Sequence, residues 1–190
     1  MSIFDEAIKF AVDTHSGMIR KNRNTPYILH PLEAAAIAGT ITNDLEVLAA
    51  AVLHDTIEDT PTTIEDIRNA FGERVAMLVA SETEDKRPNI PPEKSWRIRK
   101  EESLEKLKNG DDTAVKILWL ADKLSNMRSF YSMWKKCGNS LWDKFNQKDP
   151  IQQAWYYRSV DKLLCGLEQY EAWSEYHHLV ETVFADVPSI

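Results

Sequence analysis

Ala49-Ala50-Ala51-Val52-Leu53-His54-Asp55-Thr56-Ile57-Glu58-Asp59-Thr60 is the stretch on which the reading of this chain turns. Small and apolar side chains open it, and then His54, Asp55, Glu58 and Asp59 bring four groups able to ligate a metal or move a proton. A helix buried for packing alone has no use for that mixture. Residues three and four apart share a helical face. A helix capped by Asn43 or Asp44 and running to about residue 57 therefore sets His54 and Asp55 one turn from Glu58 and Asp59, with room for one cation beside two carboxylates.

Outward from this stretch, apolar residues recur every three or four positions over long windows, while Gly and Pro fall mostly at segment edges. The expected fold is all-α, a single-domain helical bundle of about eight to ten helices over residues 1–190. Residues 3–15 form the first helix, with Phe4, Ala7, Ile8, Ala11 and Val12 inward. His30-Pro31 starts the second, because Pro suits the first helical position. Thr62 or Thr63 opens a short helix to residue 70 with Glu65 or Asp66 placed for a capping box, and Phe71-Gly72 breaks it. A helix over residues 73–83 follows. Pro88, Pro91 and Pro92 then impose a loop. Beyond it, residues 93–108 read as a charged helix ending in Asn109-Gly110, which suits a left-handed cap. Asp111 or Asp112 caps the next helix, to about residue 133. The rest reads as helices near 140–145, 150–167 and 171–184, where Trp134, Trp142, Trp155 and Trp173 supply core and packing surface.

With 190 residues, 43% of them apolar, the chain can bury one substantial core but is short for two. Lys plus Arg number 23 against 30 Asp plus Glu, a net charge of −7 that argues against a broad nucleic-acid surface. Cys137 and Cys165 lack CxxC spacing, which speaks against a disulfide framework or zinc knuckle and for a reduced, cytoplasmic compartment. No apolar run is long enough to span a membrane, and the N-terminus lacks the pattern of a signal peptide, so a soluble protein with no membrane partner is expected. Nothing in the residues specifies an oligomeric state.

The helix expected over residues 111–133 is apolar around most of its circumference, through Ile117, Leu118, Leu120, Ala121, Leu124 and Met127. Asp122, Asn126 and Ser129 nevertheless form one polar stripe on it. A buried carboxylate without a partner is costly, so a cation or a donor must face Asp122; Lys123 or Arg128 is the alternative to a metal. Together, His30, His54, Asp55 and Asp122 offer two imidazoles and two carboxylates from three helices, the donors a hydrolytic metal centre needs. That mixed set admits Mn2+ and leaves Zn2+ and Fe2+ open. Glu58 or Asp59, one turn on, is placed to take a proton or order a water.

An acidic protein acting on a polyanion also needs a local positive funnel. Arg20, Lys21 and Arg23 can supply it, with Lys86 and Arg87 in the proline-rich loop; solvated loops are the plain alternative for both stretches.

His30-Pro31, the His54-Asp55 to Thr60 string, Phe71-Gly72 and Leu120-Ala121-Asp122-Lys123-Leu124-Ser125-Asn126-Met127-Arg128 together resemble the HD-domain hydrolases of the RelA/SpoT type. With no synthetase domain in the chain, the resemblance is nearest to the stand-alone small alarmone hydrolases, the Mesh1-like proteins. It covers about residues 4–130, and the extension over about 136–185 matches only in helical character and length. The resemblance implies Mn2+-dependent removal of the 3′-pyrophosphate from guanosine tetra- or pentaphosphate (ppGpp or pppGpp), giving GDP or GTP. It also implies that His30, His54, Asp55 and Asp122 hold the metal and that Glu58 and Asp59 are the catalytic acidic pair. Substrate contacts implied in the same way are Arg20 and Lys21 on the base, Asn126 and Ser129 on the nucleoside, and Tyr27 and Lys86 near the site.

The chain departs from the pattern at Ser129, where Thr is usual, at Ser125, where His or Tyr is common, and in the basic loop over residues 22–24. These differences bear on the base more than on the reaction. An adenine alarmone of the ppApp type or NADPH therefore stands as an alternative substrate, and a helical regulatory module with a vestigial site as the non-catalytic alternative.

Overall fold

In a computed structural model, residues 1–20 and 24–188 are described. They are helical apart from one small hairpin and the connecting segments. The chain packs as two compact units, Met1–Thr83 with Asp112–Asp122, and Glu84–Asp111 with Lys123–Ile190.

The first unit is built around its most apolar helix. Helix α3, Leu45–Leu53, buries Val47 and the whole run from Ala49 to Leu53, and it packs against α1 (Ile3–Thr14), α2 (Leu29–Ala38) and α6 (Glu73–Glu82). Three consecutive alanines at 0% exposure let those neighbours approach closely on every side. Asp44 caps α3 by accepting from the Glu46 amide at 3.0 Å. Helix α4 is the single turn Thr56–Asp59, and α5 spans Ile64–Phe71. Thr63 and Asp66 close the capping box of α5. Gly72, at φ +88°, ends it in a conformation that L side chains rarely adopt.

Four expectations change here. The helix expected to run through residue 57 stops at Leu53, because side chains take the carbonyls that would extend it: His54 Nδ1 lies 2.8 Å from the Ala51 oxygen and Thr56 Oγ1 donates to Leu53 at 2.6 Å. Helix α2 begins at Leu29, so Pro31 is its third residue and not its first, still within the turn whose amides need no helical acceptor. Val12 is 43% exposed, leaving Ala7 and Ala11 as the buried residues of α1. On either side of residues 21–23, which lie outside the described ones, β1 (Ile19–Arg20) also pairs antiparallel with β2 (Thr25–Pro26) as a small hairpin.

The second unit holds α7 (Pro92–Asn109), the part of α8 (Thr113–Cys137) beyond Asp122, a 3-10 helix over Gly138–Lys144, α9 (Pro150–Leu163) and α10 (Glu171–Val183). Its core is aromatic, as expected. Trp142 meets Phe130 edge-on at 5.2 Å and stacks on Phe184 at 5.4 Å, gaining contact geometry beyond simple area burial. Trp134, Trp155 and Trp173 are only half-buried; the guanidinium of Arg97 lies 3.3 Å over the Trp155 ring. Gly110 is extended at φ −95°, so α7 ends without the expected left-handed cap.

Polar residues one turn apart on α7, Ser95, Arg99 and Ser103, are buried and find partners there: Arg99 and Ser103 meet Glu84, and Ser95 accepts from Arg99 at 3.3 Å. Arg99 Nη1 and Lys100 Nζ each donate to Glu84 at 2.6 Å. Burial alone would raise the Glu84 carboxyl, but the charge and hydrogen bond of Lys100, with Lys123 and Arg99, hold it down to about 2. Because the folded value lies below the unfolded one, the stabilisation is complete above about pH 4.5 and is lost as pH falls towards 2, on the order of 3 kcal/mol in all. Glu84→Gln leaves Arg99 buried without its counter-charge. We expect it to lower the melting temperature by roughly 5–10 °C at pH 7, with a difference from wild type that shrinks in denaturant titrations at pH 3.

Candidate metal centre

Local chemistry delivers each side chain of the centre. His30 lies in the first turn of α2, His54 follows the last residue of α3, Asp55 holds the turn at φ −90°, ψ −6°, and Asp122 comes from α8. His30, His54 and Asp122 are buried, and their ligating atoms all lie within 4.8 Å of one another. The Nε2 atom of His30 is 2.9 Å from Asp122 Oδ1 and 3.5 Å from Asp55 Oδ2. That of His54 is 3.2 Å from Asp55 Oδ2 and 3.5 Å from Asp122 Oδ1. Each carboxylate thus faces both imidazoles.

The protons can be placed. A carbonyl only accepts, so the hydrogen between His54 and Ala51 sits on Nδ1, and a neutral His54 turns the Nε2 lone pair into the cluster. The two Nε2 atoms are 3.3 Å apart, too close for both to carry a proton. Burial lowers His30 below the ordinary imidazole range, and Asp122 and Asp55 only partly offset it. At His54 burial pulls the same way, but Asp55 and Asp122 outweigh it and hold the ring well above that range. Asp55 is opposed by burial yet pushed down by the charge and hydrogen bond of His54. The set therefore keeps at most one positive charge, on His54, against two carboxylates. A dication with two neutral imidazoles balances both carboxylates, and the mixed nitrogen and oxygen donors suit one. This is a divalent-metal site.

The acidic pair lies beside it. Asp59 keeps its place one turn from Asp55 through its backbone amide, which donates a hydrogen bond of 3.0 Å to the Asp55 carbonyl. Asp59 is exposed and Glu58 half-buried. Tyr27 places its hydroxyl oxygen 2.6 Å from Asp55 Oδ2 and 2.7 Å from Asp59 Oδ2. Burial, then the charges of Asp55 and Asp59, raise this phenol far above its usual range, so it stays a donor at neutral pH.

The first unit thus brings together His30, His54, Asp55, Asp122, Tyr27 and Asp59. Arg20 ends β1 of the same unit, whereas Lys21 lies outside the described residues. Asn126 and Ser129, on α8, and the exposed Lys86 belong to the second unit. Arg128, one of the alternative partners for Asp122, pairs with Glu175 at 2.6 Å. The sequence reading passed over His15, which is 2% exposed with its ring 5.0 Å from that of Tyr27. Its spacing of four from Ala11, itself four from Ala7, was the available signal.

A family model described as an HD domain matches residues 7–144. The guanosine-3′,5′-bis(diphosphate) 3′-pyrophosphohydrolase MESH1 of Xenopus tropicalis is 38% identical over 153 residues, covering 78% of this chain and 79% of that protein. The enzyme of the same activity from Aquifex aeolicus is 38% identical over 125 residues, 66% of this chain but only 17% of its own length. Among solved structures, that of a metazoan orthologue of SpoT, described as hydrolysing ppGpp and playing a role in starvation responses, superposes with a TM-score of 0.74. It is 25% identical and covers 100% of this chain and 98% of that one.

Proposed function

Because this chain belongs to the HD-domain family, among its RelA/SpoT-type hydrolases, we propose that it removes the 3′-pyrophosphate from guanosine 3′,5′-bis(diphosphate) or the pentaphosphate, yielding GDP or GTP. The observation that carries the reading is the convergence of His30, His54, Asp55 and Asp122 on one buried point beside Asp59. In this reading the four residues hold Mn2+. The ion supplies Lewis-acid polarisation of a phosphoryl oxygen and charge to offset the polyanion.

The chain's own groups do the rest. Glu58 and Asp59 are the acidic pair that takes a proton from the attacking water or orders it in line. Half-burial of Glu58 favours it as the proton acceptor, with the exposed Asp59 as the orienting partner. By the motif match, Arg20 and Lys21 take the base and Asn126 and Ser129 the nucleoside, while Lys86 adds to the positive funnel that draws in the polyanion. Among the described residues no helix is long and apolar enough to cross a membrane.

Purified protein incubated with Mn2+ and either ppGpp, ppApp or NADPH tests the reading. We expect pyrophosphate release from ppGpp, abolished by chelator and restored by Mn2+, with slower turnover of the other two. Hydrolysis of NADPH or ppApp alone would transfer the assignment to that nucleotide, and none on any of the three would remove it.

A further inference from the structure

We infer that His15 and Tyr27 form a positioning pair, which holds Asp55 and Asp59 in one geometry and ties them to the hairpin that carries Arg20. The inference rests on the metal-dependent hydrolase reading above and assigns to these two side chains a role other than touching substrate.

The Tyr27 hydroxyl meets the very oxygen of Asp55, Oδ2, that faces both imidazoles, and it also meets Oδ2 of Asp59. One hydroxyl thus links a carboxylate of the metal set to a carboxylate of the acidic pair. The ring that carries it is pinned on two sides, by His15 at 5.0 Å and, edge-on, by His30 at 6.2 Å. Its backbone amide donates to the Met18 carbonyl at 2.9 Å, next to β1, whose last residue is Arg20. The hairpin and the two carboxylates are therefore joined through a single side chain.

His15 supports that side chain from behind. Its Nδ1 faces the Met18 sulfur at 3.4 Å, and its Nε2 is buried with no hydrogen-bond partner among the described residues. Packing alone gives no reason to keep an imidazole there, since a leucine would fill similar space without burying an unsatisfied nitrogen. A flat ring against the Tyr27 face is what leucine cannot offer. Outer partners of metal ligands matter through such orientation: removing one typically costs 10–100-fold in metal affinity or activity.

Tyr27→Phe, His15→Leu and the double variant, each in the full chain, test the pair. Mn2+ alone is the probe for binding, read from the paramagnetic resonance signal of the free ion, and ppGpp turnover supplies kcat and KM. Tyr27→Phe keeps the ring and loses the hydroxyl. It should weaken Mn2+ binding and lower kcat, each by roughly tenfold or more, while KM moves less than about twofold and the metal-free melting temperature stays near wild type. His15→Leu should produce a smaller fall in the same two quantities, and adding it to Tyr27→Phe should cost less than the two separate effects combined. A raised KM with Mn2+ affinity and kcat unchanged would make Tyr27 a substrate contact and overturn the inference; so would unchanged Mn2+ affinity in Tyr27→Phe. Because the Mn2+ titration uses no nucleotide, a wild type that binds Mn2+ but leaves ppGpp intact defeats the substrate assignment, while Mn2+ affinity in Tyr27→Phe still decides the inference.

Discussion

Asp122→Ala is expected to abolish metal uptake and ppGpp hydrolysis together. Asp122 is 4% exposed, and its Oδ1 is the nearest carboxylate oxygen to His30 Nε2, at 2.9 Å. Without it the centre retains two imidazoles and the Asp55 carboxylate, too little negative charge and too few oxygens for a hard dication in a buried place. The ion's share of transition-state stabilisation is several kcal/mol, so its loss should slow turnover by about a thousandfold or more. Metal content after gel filtration and pyrophosphate release are the two measurements. Asp55→Ala should give the same paired loss, as its Oδ2 lies 3.2 Å from His54 and 3.5 Å from His30. Wild-type turnover in either variant would contradict the ligand assignment.

Glu58→Gln is expected to separate holding the ion from using it. Glu58 is in α4, one turn beyond the His54-Asp55 turn, and is not one of the buried His-His-Asp set. The amide keeps the shape and removes the proton acceptor. Metal stoichiometry should remain that of wild type, while kcat falls by roughly a hundredfold to ten-thousandfold, the usual contribution of a positioned acid or base. Asp59→Asn should show a different pattern, because Asp59 shares the Tyr27 hydroxyl with Asp55: some weakening of metal binding accompanies the fall in rate. Full activity in Glu58→Gln would move the proton-accepting role elsewhere, with Asp59 the first residue to examine.

Much of this molecule is written locally. The apolar run from Ala49 to Leu53, a capping box at the start of α5 and the loop around Pro88 and Pro91 each act within a turn or two, where periodicity, capping and ring sterics operate; the structure keeps all three, choosing Thr63 and Asp66 among the box residues offered and making Pro92 the first residue of α7. The types of the four candidate ligands were legible for the same reason, since donors on otherwise apolar helices need a partner.

Tertiary structure decided what depends on meetings between distant segments. Only packing against α1, α2 and α6 places the end of α3 where His54 meets His30 and Asp122, and only side-chain bonds to Ala51 and Leu53 turn the expected continuous helix into two. His15 behind Tyr27, the Tyr27 hydroxyl on two carboxylates and the burial of Glu84 against Arg99 were likewise beyond reach of spacing. Sequence alone determines which groups must be buried and paired, because burial follows the helical period and desolvation penalises every unpaired charge. Which group each one finds is decided when the helices close on one another, because hydrogen bonds and ion pairs form only within a few ångströms.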